Sequence, residues 1–79
     1  MYFLYILKCS DDTLYTGITT DLARRILEHN TSDKGAKYTR VRRPVQMVYS
    51  EEYSDRSTAS KREYKIKKMN RAEKLKLIE

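Results

Sequence analysis

The chain has 79 residues, with 17 Lys and Arg against 11 Asp and Glu, a formal charge of +6 and one cysteine. That length excludes a multidomain protein and implies one domain over residues 1–79 with a small core. The lone Cys9 excludes an intramolecular disulfide and a two-cysteine zinc motif, and it points to a reduced, cytoplasmic setting; the basic balance calls for an anionic partner, nucleic acid before an acidic membrane surface.

The first element is the apolar and aromatic run Tyr2-Phe3-Leu4-Tyr5-Ile6-Leu7. It has almost no polar alternation, which predicts a strand buried on both faces. It is too short for a signal-peptide core or a membrane span. Cys9 then reads as a small buried residue at the strand end. Ser10-Asp11-Asp12-Thr13 is turn chemistry, and Leu14 to Thr19 is a second strand, so the two form an antiparallel hairpin. Facing positions on a hairpin bring Tyr5 and Tyr15 to one face. Gly17, unusual inside a strand, signals close approach of backbone or ligand.

Leu22 to His29 carries a helical stripe, Leu22 and Ile26, with Thr19 or Thr20 as cap and Asp21 near the positive end. Arg25 and His29 are four apart and share a face at the edge of that stripe. The segment Thr31 to Arg43 reads as a loop with a basic cluster, Arg40, Arg42 and Arg43, and Pro44 ends it. Val45 to Tyr49, extending towards Tyr53, is a third strand. Ser54 or Ser57 caps a helix running to about Met69, where Asn70 is the stop. In that helix Ala59, Glu63 and Ile66 fall on one face, so a carboxylate sits where the pattern is apolar and needs a partner, a metal ion or an arginine. Lys61, Arg62 and Lys65 fall on the solvent faces. Arg71 to Ile78 is a last short helix with Leu75 and Ile78 facing inward. The fold class is α+β: a small three-stranded antiparallel sheet flanked by helices, in the order β-β-α-β-α-α.

Positive charge is densest late in the chain. Arg56, Lys61, Arg62, Lys65, Lys67, Lys68, Arg71, Lys74 and Lys76 are opposed between them only by Glu63 and Glu73. Such a run contacts backbone phosphates without reading sequence.

Together these residues resemble the GIY-YIG nuclease superfamily, in particular its short stand-alone bacterial members. Phe3-Leu4-Tyr5 stands where the family has its first motif, of which only the tyrosine is present, and Tyr15-Thr16-Gly17 where it has the second. Arg25 and His29 match the helix motif, Gly35-Ala36-Lys37-Tyr38-Thr39 matches the segment where members carry a histidine or tyrosine, and Glu63 matches the metal-binding glutamate. Asn70 is the only asparagine beyond Glu63 and stands too near that helix to match the asparagine some members carry there.

The resemblance implies a metal-dependent DNA endonuclease, structure-directed or weakly sequence-specific. One divalent ion, Mg²⁺ or Mn²⁺, is held by Glu63. Arg25 holds the scissile phosphate, and Tyr5 orients or deprotonates the attacking water. Tyr15 and Tyr38 position water or phosphate, and His29 orients a phosphate or feeds a proton relay. A free phenol titrates near 10, so Tyr5 in this role needs its pKa lowered, the direction in which Arg25 pushes, or its proton shared through a relay. Gly17, Lys37, Arg40, Arg42, Arg43, Lys61 and Lys65 are the expected nucleic-acid contacts. The expected partner is branched or damaged DNA, met by a cytoplasmic monomer that a protein partner targets. The alternative is a nucleic-acid-binding module that keeps the GIY-YIG fold and does not cut.

Overall fold

The computed structural model describes all 79 residues. Its frame is a three-stranded antiparallel sheet in which β1 (Tyr2–Lys8) is central, between β2 (Leu14–Thr19) and β3 (Gln46–Tyr53). The central position explains the unbroken apolar run: Leu4, Tyr5, Ile6 and Leu7 are all buried because both faces of β1 are covered. Alternation along the strand divides them. Tyr5 and Leu7 join Cys9 and Val45 on one face, against Leu22 and Ile26 of α1 (Leu22–Thr31). Leu4 and Ile6 meet Ile66 of α3 (Arg56–Lys67) on the other, together with Leu77 and Ile78 of α4 (Arg71–Ile78). Leu77 therefore takes the inward place expected of Leu75, which is exposed. Cys9 is buried just past the end of β1, and burial pushes its thiol pKa up, as suits an unreactive packing residue.

The expected order of elements holds, with one addition: a single-turn helix, α2 (Lys37–Arg40), lies inside the segment read as loop. The hairpin register pairs Tyr5 with Gly17 and Leu7 with Tyr15, so Tyr5 and Tyr15 are diagonal neighbours on one face. Asp12 turns the chain at φ 67°, a left-handed conformation that aspartate tolerates.

The caps differ from expectation. Asp21 caps α1 by accepting the Arg24 N–H at 3.1 Å, and Asp55 caps α3 by accepting the Thr58 N–H at 2.8 Å. In both places a carboxylate displaces the neighbouring Ser or Thr, because its charge also complements the helix dipole. Asn70 opens α4 with a reciprocal Glu73 capping box rather than merely stopping α3. Arg62, expected in solvent, instead grips Glu51 of β3 through Nε at 3.0 Å and Nη2 at 3.1 Å; Glu51 also accepts the Tyr49 and Tyr53 hydroxyls. This pairing fixes α3 against the sheet one residue before Glu63. No helix is long and apolar enough to cross a membrane.

Candidate active site

Tyr5 projects from the middle of the sheet towards α1. Its hydroxyl lies 2.8 Å from Nε2 of His29, and both residues are buried. Nδ1 of His29 has two neighbours: the Thr39 hydroxyl at 2.7 Å, which also donates to the Ala36 carbonyl at 2.9 Å, and the Ala36 N–H, which donates to Nδ1 at 3.4 Å. In the tautomer protonated at Nδ1, Thr39 accepts that proton and Nε2 accepts from the Tyr5 hydroxyl; in the other, Nδ1 accepts from the Ala36 N–H and Nε2–H donates to Tyr5. Burial, with the Arg25 charge next in weight, holds the His29 pKa down at about 4, which keeps the imidazole neutral. Thr39, fully buried, is a site residue that the sequence did not reveal.

Burial also pushes the Tyr5 pKa up to about 12. The nearby Arg25 guanidinium does lower it, as expected, but desolvation outweighs that effect, and the Glu63 charge adds to the rise. In the resting site the Tyr5 phenol is thus protonated, and of the two expected routes, a lowered pKa or a relay, the lowered pKa is not found.

The rest of the face is set by packing. Gly17 makes room for Tyr5: a Cβ there would stand 2.5 Å from the Tyr5 hydroxyl oxygen and 2.7 Å from Cζ. The close approach signalled by this glycine is that of the Tyr5 ring. Gly17→Ala is expected to destabilise the fold by about 1–3 kcal/mol, since the buried ring has nowhere to move. Urea unfolding checks this, and a variant as stable as the parent would contradict the packing described. Tyr15 lies edge-on to His29, with ring centroids 5.3 Å apart, and stacks on Tyr38 at 5.9 Å. The Arg42 guanidinium covers the outer Tyr38 ring at 4.0 Å. An aromatic series therefore runs from buried Tyr5 out to half-exposed Tyr38.

Arg25 binds Glu28 at 3.0 Å and the Lys34 carbonyl at 2.8 Å, both through Nη1. Arg25 thus exchanges charge along α1, and its own charge still lowers the Tyr5 pKa. Glu63 is partly exposed, and its ion-pair partner is Lys67, 3.4 Å away and more exposed still. No three or more His, Cys, Asp or Glu side chains gather into a metal-binding group. One weakly held carboxylate fits a hard cation that keeps most of its water, as Mg²⁺ and Mn²⁺ do, and does not fit zinc.

The basic residues separate into three groups. Lys37 and Arg40 flank Tyr38 on α2 and are exposed, and Arg42 stacks beside them. Arg43 is turned inward: its Nε donates to the His29 carbonyl at 2.6 Å and its Nη2 to the Ser32 carbonyl, so it caps the C-terminal end of α1. Lys61 and Lys65 are exposed on the side of α3 opposite its buried Ala59–Ile66 stripe, away from Glu63. The structure thus gathers Tyr5, Tyr15, Arg25, His29 and Tyr38 around one face, with Lys37, Arg40 and Arg42 at its rim; Glu63 stands on α3, the helix packed on the other side of the sheet, and acts on Tyr5 through its charge.

A buried neutral histidine has a consequence for stability. An unfolded histidine titrates near 6.5, whereas His29 in the fold does so at about 4. Below pH 6.5 the unfolded chain binds a proton that the folded one refuses. The stability present above 6.5 is therefore lost as pH falls to about 4, by on the order of 3 kcal/mol. Urea titrations at pH 7 and pH 4 should show this loss, and His29→Gln should show a correspondingly smaller one.

The chain is similar to known proteins in sequence and fold. Residues 1–76 match the model of the GIY-YIG catalytic domain. A UPF0213 protein of Desulfotalea psychrophila is 61% identical over 77 residues, covering 98% of this chain and 70% of that protein. A UPF0213 protein of Staphylococcus epidermidis is 53% identical, covering 99% and 94% respectively. Among solved structures, the UPF0213 protein from Bacillus halodurans is 43% identical with a TM-score of 0.63, over 99% of this chain and 83% of that one. A protein from E. faecalis is also 43% identical, with a TM-score of 0.66, over 98% and 81%.

Proposed function

Because the chain belongs to the GIY-YIG catalytic-domain family, we propose that it is a metal-dependent endonuclease that hydrolyses DNA phosphodiester bonds, directed by DNA structure more than by base sequence. The observation that carries this reading is the Tyr5 hydroxyl, hydrogen-bonded at 2.8 Å to a neutral histidine and acted on by the charges of Arg25 and Glu63. A structural tyrosine needs a hydrogen-bond partner, but it does not need a buried histidine, an arginine and a carboxylate around it.

Tyr5 positions the attacking water, and its proton passes to Nε2 of His29 as the water gives up its own. This transfer uses the tautomer protonated at Nδ1, in which Thr39, 2.7 Å away, accepts that proton and Nε2 is free to accept the other. Arg25 supports the phosphoryl oxygens, for which a planar fork is better suited than a point charge. Glu63 holds the divalent ion, Mg²⁺ or Mn²⁺, which when bound supplies positive charge for the leaving oxygen. A bound phosphate raises the His29 pKa by its negative charge, and neutralising Glu63 removes one of the charges that raise Tyr5. Both changes bring the pair closer to proton transfer at neutral pH. Lys37, Arg40 and Arg42 contact flanking phosphates.

The second reading, a binding module that does not cut, draws on the same resting levels: Tyr5 near 12 and His29 near 4 exchange no proton at pH 7 unless substrate shifts them. Gel-shift and cleavage assays on branched, nicked and single-stranded DNA, and on RNA, with Mg²⁺ or Mn²⁺ and with chelator, separate the two. Metal-dependent cutting of branched or nicked DNA is expected. Binding to every substrate with cutting of none would favour the module.

A further inference from the structure

The outer face of α3 has no part in the site described above. Ser57, Ser60, Lys61, Tyr64, Lys65 and Lys68 line a shallow, open depression there. Tyr64 is 62% exposed, far more than an aromatic ring with a packing role requires. The Lys68 ammonium rests 4.3 Å from its ring centroid. The only acid between Arg56 and Lys68 is Glu63, which pairs with Lys67 and does not line the depression.

From this juxtaposition we propose that the outer face of α3 is a second nucleic-acid contact, at which an unpaired base stacks on Tyr64 while Lys61, Lys65 and Lys68 hold the flanking phosphates. A flat ring among cations suits a single strand, whose bases expose their faces and whose backbone is anionic. A duplex keeps its bases stacked on one another, so it offers Tyr64 nothing to stack on. A membrane surface fits less well, because interfacial helices present a row of large apolar residues and this face has one ring. Lys68 is a flexible cation that leaves the ring for a phosphate when a base takes its place. The inference shares with the proposed function only the premise of a nucleic-acid partner and does not depend on cutting.

Anisotropy titrations of a fluorescein-labelled oligo(dT) 15-mer, in chelator so that no strand is cut, test it. Tyr64→Ala is expected to weaken binding about tenfold. Tyr64→Phe should retain affinity, and a 15-base-pair duplex should lose little with either variant. Irradiating the wild type with an oligomer bearing 5-iodouracil should cross-link the peptide containing Tyr64, a readout that needs no variant to fold. Wild-type affinity in Tyr64→Ala together with cross-links elsewhere would overturn the proposal. So would absence of single-strand binding alongside binding to phosphatidylserine vesicles. Cutting that persists while Tyr64→Ala binds normally would overturn this surface alone and leave the proposed nuclease standing.

Discussion

Glu63→Gln is expected to fold like the parent and to cut DNA at least about 10²-fold more slowly. The two effects separate because of where Glu63 stands. Its ion pair with Lys67 is an exposed i,i+4 contact, and pairs of that kind contribute about 0.3–0.5 kcal/mol. In the transition state, by contrast, charge stabilisation at the reacting oxygens is worth about 10²–10³ per group removed, and an amide cannot replace a carboxylate as a ligand to a hard cation. Arg25 is a less clean target, since it also ties Glu28 and the Lys34 carbonyl to the end of α1, so its removal loosens the fold as well. Single-turnover cleavage beside a urea melt reads both quantities for Glu63→Gln. A variant that cuts within a few-fold of the parent would remove Glu63 from the metal role.

Tyr5→Phe is expected to lower both rate and stability. Without the hydroxyl, the group that positions water and passes the proton is gone, a loss of about 10²–10⁴ in rate. Nε2 of His29 is also left buried without its partner, at a cost of about 1–3 kcal/mol. Thr39→Val provides a control for the direction of the proton. It removes the hydroxyl 2.7 Å from Nδ1 of His29, so it should shift the pH–rate profile rather than suppress cutting at every pH. Full activity in Tyr5→Phe would assign the tyrosine to packing, with Gly17 shaped only to admit its ring.

Much of this was legible in the sequence because it depends on local pattern. The apolar run of β1 announced a strand covered on both faces, and the i, i+4 spacing of Arg25 and His29 put them on one helix face. Glu63 on an apolar stripe stood out as a carboxylate in need of a partner, and the partner the structure gives it is Lys67 rather than an arginine. What escaped depends on the tertiary arrangement. Thr39 and His29 are ten residues apart, and they meet only because α2 folds back under α1. Arg43 looked like a phosphate contact within its basic cluster, yet the C-terminal carbonyls of α1 bind it. The Tyr5 pKa was expected to fall because Arg25 was visible in the sequence and the degree of burial was not. The helix caps fell to aspartates rather than to their Ser and Thr neighbours, a choice of one position that composition alone does not make.

The most direct test is a denaturing gel of end-labelled branched DNA incubated with the wild-type protein and Mg²⁺, with chelator, and with Tyr5→Phe and Mg²⁺. The account predicts a new shorter fragment in the first reaction and none in the other two. A fragment that forms equally in all three, or intact DNA in the first under conditions where a gel shift shows it bound, would contradict a metal-dependent phosphodiesterase centred on Tyr5.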